Sequence, residues 1–146
     1  MWDKIVKYFA LAGGAVAGFL GKWNVMLTVL ACMMALDYIS GLMVAASGKS
    51  PKSENGGISS KIGFDGLMKK GFIIIIVLAA TFLDRALGTE KMLFQMAAAG
   101  YYIANEGISI LENASLLGVP FPAKIQNAFD EMRKANDGKD PPDPEV

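Results

Sequence analysis

The chain has 146 residues, 53% of them hydrophobic, with 14 basic and 14 acidic side chains, one cysteine and no histidine. The length suits one domain, and a net charge of zero with only two arginines, Arg85 and Arg133, speaks against a nucleic-acid partner. Histidine-based triads and HExxH zinc sites are excluded, and Cys32 alone makes neither an intrachain disulfide nor a thiolate zinc cluster.

The apolar residues lie in four long blocks, while most charges sit in the gaps and the tail. The first block covers residues 5–21. It resembles a signal-peptide core, but more hydrophobic blocks come after it, which favours a retained helix. Its length of about 17 residues is the lower edge for a membrane span, so a re-entrant or interfacial segment is the alternative. Ala10, Gly14 and Gly18 recur at intervals of four, with Gly13, Ala17 and Gly21 on the neighbouring row. Such surfaces let helices approach closely in lipid, either within one chain or between copies.

The second block, residues 25–46, would extend about 33 Å as a helix, enough for a hydrocarbon core of about 30 Å. Only Asp37 interrupts it. The Lys22-Trp23-Asn24 join predicts a tight helical hairpin with Lys22 and Trp23 at the interface. Gly41 belongs to a weaker small-residue row here.

Residues 47–70 read as a cytoplasmic loop. Gly48 and Pro51 stop the preceding helix, and Ser59 or Ser60 caps a short surface helix containing Ile62, Leu67 and Met68. The third block, residues 71–87, carries an isoleucine run too long for an ordinary strand and is expected to be a helix. Asp84 and Arg85 fall near its end, and Gly88 to Lys91 form a turn.

The fourth block, residues 92–111, is the least apolar and holds Gln95, Asn105 and Glu106. Residues 1–116 thus form a helical membrane domain. Residues 117–135 hold an amphipathic helix with Phe121, Ile125, Phe129 and Met132 on its apolar face. The proline-rich tail, 136–146, has no apolar periodicity and is expected to be disordered.

Lys49, Lys52, Lys61, Lys69 and Lys70 mark the central loop as cytoplasmic, because orientation follows the count of basic residues in short loops. Together with Lys4, Lys7 and the basic C-terminal region, they favour four spans with both termini inside; a first block lying in the interface would leave three. The expected fold is therefore all-α and polytopic.

A carboxylate at a bilayer centre costs roughly 2.5–3.5 kcal/mol, so Asp37 must be paired, protonated or facing water. Asp84, Asn105, Glu106 and Glu112 are the other intramembrane polar candidates. Such a stripe either lines a pore or holds a bundle together. No phosphate loop or nucleophile elbow accompanies it, so no enzymatic activity and no cofactor or metal are expected.

Several pieces resemble a known family. Leu36-Asp37-Tyr38-Ile39-Ser40-Gly41-Leu42 is followed by Ser59-Ser60-Lys61-Ile62-Gly63-Phe64-Asp65-Gly66-Leu67-Met68-Lys69-Lys70, and then by Asp84. Asn105-Glu106-Gly107-Ile108-Ser109-Ile110-Leu111-Glu112-Asn113 and Gly118-Val119-Pro120-Phe121-Pro122 complete the set. Over residues 30–130 or so, the order is similar to the bacteriophage holin family that includes the clostridial toxin-secretion holins. The resemblance implies a protein of the host bacterial cytoplasmic membrane that self-associates into lesions, releasing an endolysin or a toxin. It implies oligomerisation through the glycine rows, and Asp37, Asp84, Glu106 and Glu112 as polar contacts or pore-facing groups. The rival readings are a small channel or transporter subunit, a structural membrane adaptor, and a soluble helical bundle.

Overall fold

The computed structural model describes residues 1–20 and 23–137. Helix α1 spans Trp2–Leu20, α2 Val25–Ala46, α3 Ser60–Leu87, α4 Leu93–Leu116 and α5 Ala123–Asp137, an all-α fold. Gly21, the Lys22 interface anchor and the tail from residue 138 lie outside the described residues.

Local chemistry sets the helix ends. Asn24 has extended backbone and its side chain accepts from Leu27 N–H at 3.0 Å, so it caps α2. Gly48, at φ 73°, ends that helix in the left-handed region, and Lys49 N–H donates to the Val44 carbonyl at 3.1 Å. The Ser59 hydroxyl caps α3, as expected from its position. Beyond that cap the chain departs from expectation: the surface helix and the third block form one continuous helix of 28 residues through Gly71. An isolated glycine costs a helix about 1 kcal/mol, too little to break one held on both sides.

Among the described residues, two helices are long and apolar enough to cross a membrane, α2 with 22 residues and α3 with 28. Only 17% and 11% of their apolar windows are buried within the chain, which is unlike the core helices of a soluble bundle.

The side-chain pairing gives the topology. Asn24 at the start of α2 bonds Gln95 at the start of α4, and Ser40 further along α2 bonds Asn113 further along α4. These two helices run parallel, and α3 runs antiparallel to both, with Thr81 beside Gln95 and Lys70 beside Glu106. Leu27, Leu30 and Met34 of α2, Ile73 and Val77 of α3, and Ala99 and Ile103 of α4 form the core. Their spacings of three and four put each set on one helix face. Helix α1 packs on α3, its Val16 against the core, and α5 packs along α4.

Candidate functional site

Each of the three central helices carries its buried stripe beyond the apolar core into polar residues. On α3 the stripe reads Lys70, Ile73, Val77, Thr81, Asp84, at spacings of three and four. On α4 it includes Gln95, Ala99, Ile103, Glu106 and Asn113. Two polar layers result, one at each end of the core.

In the layer nearer the 47–59 loop, Lys70 lies between two carboxylates. Its ammonium donates to Asp37 Oδ2 at 2.8 Å and also to Glu106 Oε2. The Asn113 amide donates to Ser40 Oγ at 2.8 Å and to Asp37 Oδ1 at 3.4 Å, and the Ser40 hydroxyl donates to the Asp37 carbonyl at 3.0 Å. One ammonium against two carboxylates leaves one formal negative charge in excess. The Lys70, Asp37 and Glu106 side chains keep 13%, 16% and 9% of their surface accessible, so the cluster is enclosed but still reached from outside. That access is a cleft of about 420 Å³, lined by the exposed Lys52, Ile58 and Lys69 as well as by the ion cluster. In a low-dielectric setting such charges persist together only when paired and hydrogen-bonded.

The opposite layer is built around Asp84, which is 0% exposed. Its carboxylate accepts from the Thr89 hydroxyl, from Phe94 N–H at 3.1 Å and from Gln95 N–H at 2.7 Å. These are first-turn amides of α4, whose own N-cap residue, Met92, makes no side-chain cap. The Gln95 amide donates to Thr81 Oγ1 at 2.8 Å and accepts from Asn24 Nδ2 at 2.9 Å, tying α2, α3 and α4 together. Asp84 is thus a cap supplied by a neighbouring helix, not an interface-exposed group.

The other residues singled out by sequence have varied settings. Asn105 is half-buried, and Glu112 is exposed on α4, outside the cluster. Ala10, Gly13, Gly14, Ala17 and Gly18 are all exposed on α1, and a Cβ added at any of the three glycines would meet nothing within 4 Å. At Gly41, by contrast, an added Cβ would lie 3.8 Å from Asn113 Nδ2, inside the chain's own packing. Phe121 is half-buried but precedes α5, which starts at Ala123 after the Pro120 and Pro122 break rather than at 117; on α5 itself Phe129 is half-buried, Ile125 is 44% exposed, and the Met132 side chain lies outside the described residues. Phe129 rests on Gly107 so closely that a Cβ there would lie 2.7 Å from its Cδ1.

Lys70, Ser40, Thr81, Gln95 and Asn113 were not among the site residues expected from sequence. Lys70 reads as one of several loop lysines. The signal that distinguishes it is its register, one turn ahead of Ile73 and Val77 on the same face.

Comparison with known proteins gives related chains. The sequence profile of the bacteriophage holin family matches residues 14–134. An uncharacterised protein of Listeria innocua is 42% identical over 124 residues, covering 84% of this chain and 83% of its own length. An uncharacterised 14.9 kDa protein from the nagH 3′ region of Clostridium perfringens is 38% identical over 112 residues, 77% of this chain and 80% of its own. A protein of Bacillus phage phi105 named "Probable holin" is 28% identical over 113 residues, 77% and 78% of the two chains. No solved structure matches.

Proposed function

The chain belongs to the bacteriophage holin family, and from that premise we propose that its copies associate in the bacterial cytoplasmic membrane and open lesions that pass a folded endolysin. Holins are non-catalytic, and the chain is accordingly a membrane-associated helical protein rather than an enzyme.

The observation that carries the reading is the inversion of burial. Thr81, Asp84, Gln95, Glu106 and Asn113 are buried, while Ile74, Ile75 and Ile76 are 38%, 55% and 43% exposed. Water would reverse that arrangement; hydrocarbon around the bundle favours it. With α2 and α3 crossing the bilayer, the lysines of the intervening segment put it in the cytoplasm. Helices α1 and α4 complete four spans, and both termini are cytoplasmic. Support for α4 comes from Gln95, Glu106 and Asn113 turning inward while Leu93, Phe94 and Met96 face out. The C-terminal helix stays with the bundle through Phe129, on the cytoplasmic side.

Association uses the open row of Ala10, Gly14 and Gly18 and its neighbour Gly13 and Ala17, all exposed among the described residues. In the lesion, Asp37, Glu106 and the polar residues around them turn toward water. The phage relative favours an endolysin as cargo; a lesion of the same kind would serve a secreted toxin.

Inducible expression in bacteria, with and without a co-expressed endolysin, tests the proposal. Abrupt lysis only in the presence of endolysin is the expected result. Ion leakage with no passage of folded protein would replace the reading with a small channel subunit. Stoichiometric capture of one cytoplasmic protein, with no permeability change, would replace it with an adaptor.

A further inference from the structure

We infer that the Asp37–Lys70–Glu106 cluster is an electrostatic latch that holds α2, α3 and α4 together before lesions form, and that opening it is the step that commits the chain to a lesion. The inference rests on the lesion reading above. It adds that the polar groups destined for water are first occupied with one another.

Three features of the cluster lead there. First, each member comes from a different central helix, so the ion pairs are the contact that joins all three at this level. Second, the charges within the trio do not balance. The groups facing Lys70 are Asp37 from α2 and Glu106 from α4, and the remaining charges about the cleft are the exposed Lys52 from the loop with Asp65 and Lys69 from α3. Lys52, Lys69 and Asp65 together add one positive charge, so the cleft is formally neutral as a whole, but within the trio itself two carboxylates share one ammonium, a local bias toward water that the packed apolar core opposes. Third, the cleft already reaches the cluster from the loop side, so separation of the helices would hydrate these charges without carrying them through hydrocarbon. The layer at the other end is different in kind: Asp84 is spent on backbone amides of α4, and opening it would uncap a helix.

A latch with excess negative charge makes opposite predictions for its members. Asp37→Asn and Glu106→Gln each leave a balanced pair with Lys70 and should delay lysis at matched expression. Lys70→Met leaves two facing carboxylates and should advance it. Shifts of the same sign for all three variants would overturn the latch.

Because Lys70→Met is the variant most exposed to a folding failure, a covalent lock supplies a second test. Ser40 and Asn113 lie in hydrogen-bond contact beside the cluster, joining α2 to α4. In a Cys32→Ala background, Ser40→Cys with Asn113→Cys would be reconstituted into vesicles holding a fluorescent protein, oxidised, and then reduced. Loss of protein release when oxidised, restored by reductant, is the expected result. Equal release in both states would overturn the latch while leaving the lesion reading intact. Release in neither state, and none from the Cys32→Ala parent, would overturn both.

Discussion

At Met92 the backbone has φ 50° and ψ 48°, the one left-handed non-glycine among the described residues. A β-carbon in that region costs roughly 1–2 kcal/mol, and asparagine or glycine bears it more easily. Met92→Asn is therefore expected to raise the thermal midpoint of the detergent-solubilised protein, and an unchanged or lower midpoint would show that the Met92 side chain contributes more than the strain costs. The strain is tolerated because Asp84 supplies the cap that Met92 does not. Asp84→Ala should lower the midpoint and speed amide exchange at Phe94 and Gln95, while Asp84→Asn, which still accepts, should lose less. Little of this was legible in sequence. Asp84 stands at the end of an apolar block, where exposure is the ordinary expectation, and its partners lie across a turn, ten and eleven residues on. Lys70 is a similar case. Its neighbours Lys69 and Gly71 make it look like loop, and only the register of the continuous helix turns it inward.

Among the elements, α2 was the most legible, its observed bounds Val25–Ala46 coinciding with the expected ones. An apolar run interrupted by the single charge of Asp37, between an asparagine cap and a glycine stop, leaves little freedom. The longer α3 was less so, because Lys69-Lys70-Gly71 has the composition of a boundary without a proline to enforce one. Helix α1 carries the clearest prediction at this scale. Replacing both Gly14 and Gly18 with leucine places bulk where, among the described residues, an added Cβ meets nothing within 4 Å. Folding and insertion should be unaffected, while lysis is delayed or abolished and cross-linked oligomers are lost. Normal timing with normal oligomers would remove α1 from the association surface. For α5, Gly107→Ala should displace the Phe129 ring and loosen the helix from α4. Faster proteolysis within residues 123–137, with the rest of the chain still protected, is the expected readout.

Viewed as a whole molecule, the chain has an apolar exterior around charged and amide groups. Residues 25–46 and 71–87 should accordingly resist aqueous labelling in intact cells, and full accessibility of both would end the membrane assignment. The placement of the two polar layers bears on the surrounding lipid as well. Asn24 and Asp37 are 13 residues apart on α2, so the layers are separated by about 20 Å, against a hydrocarbon core of about 30 Å. Both layers face inward, however, so the lipid meets the apolar outer sides of α2 and α3, and α2, at about 33 Å, matches that core without compressing it. Bilayer thickness should then leave the lateral distribution of the protein unchanged, and clustering that tracked acyl-chain length would mean that the polar layers reach the outer face.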